Sequence, residues 1–198
     1  MDSQNAINIL VAINLLVSMS ANFSGARKGL KISITKVIER PVTFLQAFPP
    51  NIAALVLVLI ILSIFDIGTL PAEFETKFYT LRIVGLIMFF VFSWLQVVSY
   101  KSLKNSYAQE VVIMKDHKLI TSGIYKFIRH PQYISQLLSD LGAGLALLSY
   151  IVVPVVVLIE LPLFMMRATL EDKLLQKHFG EEYSSYKKRS GFIIPFIG

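Results

Sequence analysis

Apolar residues fall into five runs, separated by charged or proline-marked stretches. The first extends from about Asn5 to Ser24 and is interrupted by Asn8 and Asn14. The second is Ile52 to Leu70, and the third is Phe78 to Tyr100 with Arg82 near its start. The fourth is Tyr133 to Leu148 and the fifth Ile151 to Met166. Runs that approach roughly 20 residues are expected to cross a bilayer as helices. Only Ser149 and Tyr150 separate the last two, which predicts a tight helical hairpin. The fourth run is short and needs residues before Tyr133, or local thinning of the bilayer, to span fully. Between the first two, Ile32 to Phe48 mixes Lys36, Glu39 and Arg40 with apolar positions and then meets Pro49-Pro50. This stretch reads as an amphipathic interfacial helix.

Composition supports the same picture. The chain has 198 residues, 55% of them hydrophobic and only 16% charged, with a mean hydropathy of +0.63; soluble domains are nearer a quarter charged. The expected architecture is all-α: one membrane-embedded domain, 1–198, of about five transmembrane helices ending in the hairpin. The first run lacks a preceding basic stretch and a small-residue cleavage site, so it is read as a retained helix and not a signal peptide. With no cysteines, disulfides, thiolate metal sites and cysteine nucleophiles are excluded. The net charge of +6 belongs to loops and not to nucleic-acid binding. Arg27, Lys28, Lys31, Lys36 and Arg40 follow the first run; Lys101, Lys104, Lys115, Lys118, Lys126 and Arg129 follow the third; Arg167, Lys173, Lys177, Lys187, Lys188 and Arg189 are in the tail. The loop from Asp66 to Lys77 is instead acidic, with Asp66, Glu73 and Glu75. Five spans put all three basic regions on one side, predicting the N-terminus outside and the C-terminus in the cytoplasm.

Three groups of polar residues are candidates for chemistry. Tyr125, Arg129, His130 and Tyr133 stand at the mouth of the fourth run, with Pro131 suited to a first helical turn. Free backbone N–H groups there favour an anion such as a carboxylate; an ordinary interfacial belt is the competing reading. Arg167 and Glu171 are four apart, the spacing of a local ion pair or of two ligand contacts. Asp140 and Glu160 lie inside the hairpin's hydrocarbon stretches, where acids are costly and mark function by default. Each is seven residues from a mouth residue, Tyr133 or Arg167, so the acids are expected to point into the same cavity. Alternatively they are protonated or bonded within the bundle, to Arg82 or to Asn and Ser groups. His117, His130 and His178 have no metal-ligand spacing, and no catalytic metal is expected. Gly142 and Gly144 read as helix-packing positions.

These residues form an ordered pattern. His117 to Ile120 (H-K-L-I) is followed by Gly123 to Tyr125 (G-I-Y) and Arg129 to Tyr133 (R-H-P-Q-Y). After the hairpin come Arg167 to Asp172 (R-A-T-L-E-D), Phe179 to Tyr186 (F-G-E-E-Y-S-S-Y) and Pro195. From about Asp116 onward, roughly the last 80 residues, the chain resembles the isoprenylcysteine carboxyl methyltransferases and the related phospholipid methyltransferases. The first 115 resemble them only in being hydrophobic spans.

The resemblance implies S-adenosylmethionine as methyl donor, leaving as S-adenosylhomocysteine, in a cytoplasmic pocket of the catalytic half, 116–198. His117, Lys118, Leu119, Ile120 and Tyr125 are implied for the adenosyl end. His130, Pro131, Gln132 and Tyr133 are implied for the amino-acid end, with Glu171 a further contact. Arg167 is implied to face the acceptor. Asp172 stands where the family often has a second Glu, and its shorter reach argues against a direct role. The implied reaction is carboxyl methylation of a prenylated cysteine in the bilayer. Asp140 and Glu160 would better suit an amine, so N-methylation of a lipid amine is the alternative. A small transporter or scaffold is the alternative of another class; intramembrane acids suit it, but no inverted repeat is present.

Overall fold

Helices make up most of the fold, because the apolar runs must satisfy their own backbone groups once water is absent. The computed structural model describes residues 3–35, 37–103, 110–115 and 117–197. Lys104 and Asp116 lie outside the described residues, as do the side chains of Arg27, Lys28, Lys31 and Lys36. Helix α1 is Ser3–Thr35, α2 is Phe48–Ile64, and a single turn α3, Phe74–Lys77, leads into α4, Tyr79–Leu103. Helix α5 is Pro131–Ala146. The last long helix runs Val152–Phe179 as α6 (Val152–Val155), a widened five-residue turn (Val156–Glu160) and α7 (Leu161–Phe179). Helix α8, Glu181–Lys187, follows directly after Gly180. Pro162 supplies no N–H and crowds the preceding turn, which accounts for the widened turn just before it.

Among the described residues, three helical stretches are long and apolar enough to cross a membrane: Phe44–Ile64, Tyr79–Leu103 and Val152–Phe179, with Ala6–Asn22 a shorter apolar helix. On α4 the exposed Val84, Ile87, Val91, Trp94 and Val98 recur at helical spacing. They form the lipid-facing stripe, while Arg82, Gly85, Phe89, Ser93 and Val97 turn inward. The short fourth run is the central helix: α5, only 16 residues, buries Ser135, Leu137, Ser139, Asp140, Gly142, Ala143, Gly144 and Ala146.

Contact between α4 and α5 is backbone against backbone. A Cβ on Gly85 would lie 2.5 Å from Ala146 N, and one on Gly142 would lie 2.6 Å from Phe89 N. Small residues permit this close approach, the usual means of joining helices without a hydrophobic driving force between them. At the hairpin turn Ser149 accepts from Ser63 Oγ at 2.9 Å and from Val152 N at 3.1 Å, and donates to Gly68 O at 3.1 Å.

Two features differ from the sequence-based expectation. The stretch 32–48 is not an interfacial helix. It holds the end of α1, a strand β1 (Val37–Glu39), a 3-10 turn (Phe44–Gln46) and the start of α2. Strand β1 pairs antiparallel with β2, Ile113–Met114, the one sheet among the described residues. Secondly, Arg82 does not approach Asp140 or Glu160. It donates to Ala146 O at 2.9 Å and Asn8 Oδ1 at 3.1 Å, and pairs with Glu75 at 2.6 Å.

Candidate active site

Local structure presents each predicted site residue. Gly123, at φ +62°, takes the left-handed conformation open to glycine and starts the 3-10 turn Gly123–Lys126 that buries Tyr125. Pro131 begins α5 and leaves His130 at the helix boundary with its ring available to partners. On α7, Arg167, Glu171 and Leu174 recur every three or four residues, so one face carries them all.

The structure brings His117, Lys118, Leu119, Ile120, Tyr125, His130, Gln132, Tyr133, Arg167 and Glu171 around one pocket. Pro131 is buried beside it as a helix starter and does not line it. A polar chain crosses the pocket floor. Tyr183 O–H and His130 Nε2 (2.7 Å) donate to Asp172 Oδ1. The other His130 nitrogen lies 3.6 Å from Glu171 Oε2, which accepts from Tyr133 O–H at 2.9 Å. Arg167 Nε then donates to the Tyr133 hydroxyl at 3.1 Å, and its Nη1 to the carbonyls of Leu45 (2.8 Å) and Gln46 (3.1 Å). Arg167 and Glu171 are therefore linked through Tyr133, a geometry different from a simple pair along the helix.

Charge at this floor is arranged, not incidental. Burial alone would lower the His130 imidazole, but its hydrogen bonds to Asp172 and Glu171 outweigh that and hold it above its ordinary range. His117 is pushed the other way: burial lowers it, against a smaller raising influence of Glu171. One histidine thus favours the cation and the other the neutral ring within the same pocket. His117 Nδ1 and Gln132 Nε2 are buried without a hydrogen-bond partner among the described residues, and both residues line the pocket. Such atoms are costly unless a ligand meets them.

Asp140 and Glu160 do not share this pocket. Seven residues place Asp140 on the face of Tyr133 but about 10 Å further along the axis. It lines a separate cavity of about 360 Å³ among α1, α2, α4 and α5, with Ser93, Gln96 and Gln136. Gln136 donates to it at 2.5 Å, and Gln96 in turn donates to Gln136. Glu160, fully buried, interacts with Asp140.

Residues not foreseen complete the pocket. Glu110, Val111 and Val112 form a wall beside β2, and Tyr183 and Tyr186 another. Asp172 is the hub of the floor: besides His130 and Tyr183, Arg129 Nε lies 3.4 Å and Lys187 Nζ 3.8 Å from its Oδ2. Arg129 also donates to Ser190 O at 2.6 Å, and Tyr186 O–H to Tyr125 O at 2.6 Å. The tail thereby straps the loop that carries Tyr125 and His130. The F-G-E-E-Y-S-S-Y pattern was the available signal for Tyr183 and Tyr186; nothing local marked Val111.

A helical bundle in the membrane with a polar pocket at the foot of its last hairpin is the class the fold defines. Residues 83–177 match the isoprenylcysteine carboxyl methyltransferase (ICMT) family, just under half of the chain. The match begins earlier than the motifs read from the sequence, inside α4, and stops before Tyr183. The protein-S-isoprenylcysteine O-methyltransferase of Tribolium castaneum is 33% identical over 82 residues, 41% of this chain and 29% of that protein. That of Saccharomyces cerevisiae is 27% identical over 134 residues, 67% of this chain and 55% of the relative. The chain thus spans between about a third and about half of the length of these relatives. A solved eukaryotic intramembrane Ras methyltransferase, ICMT, superposes with a TM-score of 0.57 at 23% identity, covering 79% of this chain and 55% of that one; this establishes the shared fold.

Proposed function

We propose that this protein transfers a methyl group from S-adenosylmethionine to the carboxylate of a prenylated cysteine held in the bilayer. The observation that carries the reading is the pocket itself: the residues implied for the cofactor, Pro131 apart, and Arg167 converge on one space at the end of the hairpin. The relatives' names support the acceptor class. The residues fit the cofactor. His117 Nδ1 and Gln132 Nε2 are polar atoms awaiting partners, and the neutral His117 ring and Tyr125 suit an adenosyl group. Glu171 suits a cationic ligand.

When bound, the cofactor supplies an already activated methyl group. The protein's part is then alignment. A carboxylate acceptor is nucleophilic without a general base. Arg167, held by Tyr133 and by two carbonyls, would orient it through charge-assisted hydrogen bonds. The basic loops support a pocket facing the cytoplasm and an N-terminus outside.

One observation favours a second reading, methylation of a lipid amine: Asp140 lines the intramembrane cavity, where an amine would meet a carboxyl group. Calorimetry with S-adenosylmethionine tests the donor, and labelled-methyl transfer to a prenylcysteine analogue and to phosphatidylethanolamine tests the acceptor. Binding with label in the prenylcysteine analogue is expected. Label in phosphatidylethanolamine alone would favour the amine, and absence of binding would return the chain to a transporter or scaffold.

A further inference from the structure

The β1–β2 ladder stops where the pocket wall begins. Extending the register Glu39↔Ile113 by two residues puts Pro41 opposite Val111. Proline has no N–H, so the ladder cannot continue through it. The side chain of Gln46 takes its place. Gln46 Nε2 donates to Val111 O at 2.8 Å, and Gln46 Oε1 accepts from Val111 N at 3.0 Å, while Nε2 also lies 3.3 Å from Pro41 O. One carboxamide thus makes both bonds that a neighbouring strand would have made.

The turn that carries Gln46 has a second attachment. Its main-chain carbonyls at Leu45 and Gln46 accept both bonds from Arg167 Nη1, and Thr43 Oγ1 caps the turn by accepting from Leu45 N at 3.4 Å. Val111 and Val112 line the pocket together with Arg167, and Val111 packs on Leu174 of α7. Three consecutive residues, Phe44–Gln46, therefore join two walls that belong to distant parts of the chain.

We infer that Gln46 is a positioning residue: it clasps Val111 with its side chain and Arg167 with its carbonyl, and so sets the spacing between the cofactor wall and the acceptor-facing arginine. The inference rests on the cofactor reading of the pocket. Gln46 lies outside the family match of 83–177, whereas Val111 and Arg167 lie inside it. Carboxamide chemistry is required, because only it offers one donor and one acceptor in the plane of a peptide ladder.

Gln46→Met keeps the volume and removes both bonds; Gln46→Asn keeps the amide and falls short of Val111. Both are tested in the full-length detergent-solubilised protein. Hydrogen exchange at the Val111 amide without cofactor should rise in each variant. The Kd for S-adenosylhomocysteine and the KM for S-adenosylmethionine should rise about tenfold, the size of one or two lost net hydrogen bonds. With N-acetyl-S-farnesylcysteine as acceptor, kcat at saturating donor should fall less than KM rises. A purely structural role would lower the active fraction and leave KM unchanged. Unchanged exchange at Val111, or a fall in kcat with KM and Kd intact, overturns the assignment. If the wild type binds no S-adenosylhomocysteine, the cofactor reading fails instead, and Val111 exchange alone then decides whether the clasp exists.

Discussion

Arg82 and Arg167 are about equally buried, 3% and 4% exposed; Arg82 donates to one main-chain carbonyl of a neighbouring segment and Arg167 to two. Their settings differ. Arg82 ties together Glu75, Asn8 and Ala146 O at the hairpin-turn end of the bundle. Arg167 lies at the opposite end, joined to Tyr133 and to the turn before α2, and lines a pocket. A buried, bonded arginine is thus not by itself a sign of function. Both ends satisfy a buried charge, and the Arg167 end also lines a space that a ligand can enter.

The largest effect expected separates the two arginines. Arg167→Ala or Glu171→Ala should lower kcat/KM for methyl transfer by about a hundredfold or more, the cost of losing a fixed electrostatic contact in a closed site, while the protein still folds. Arg82→Ala should instead cost about 3 kcal/mol of stability, because it leaves a buried polar site uncompensated, with cofactor affinity of the folded fraction intact. Thermal unfolding beside calorimetry checks both; full activity in the two pocket variants ends the reading of that end as catalytic.

An intermediate effect is expected at Asp172. Asp172→Asn retains the shape but removes the charge that faces His130, Arg129 and Lys187. Cofactor affinity should fall about tenfold. An unchanged Kd would reduce the hub to packing and bring the pocket end closer in kind to the Arg82 end.

The smallest effect is on pH. The folded His130 pKa lies above its ordinary 6.5. Its contribution is therefore complete below about pH 6.5 and is lost as pH rises through the raised value. Thermal stability followed from pH 6 to 9 should decline across that window, and His130→Gln should flatten the decline. A wild-type profile with no such component would mean that His130 is not held as a cation by its two carboxylate neighbours.

Legibility followed sequence distance. Tyr125, His130, Tyr133, Arg167 and Glu171, grouped by the resemblance and placed by sequence at the two ends of a hairpin, line one pocket. Periodicity also put Asp140 on the face of Tyr133. It could not set depth, and seven residues were enough to carry the acid into another cavity. The stretch 32–48 misled for a related reason: its mixed pattern suits an interfacial helix, yet pairing with β2, far along the chain, made part of it a strand.

Composition and hydropathy alone determined that this is a helical membrane protein whose last hairpin carries a polar mouth, because the cost of an unbonded backbone in hydrocarbon admits few alternatives. Tertiary structure decided how that mouth becomes a pocket. The Gln46–Val111 clasp, the tail strap through Tyr186 and the gathering of partners on Asp172 all join residues tens of positions apart. Such contacts are chosen by the packing of whole helices and loops, which no local pattern encodes.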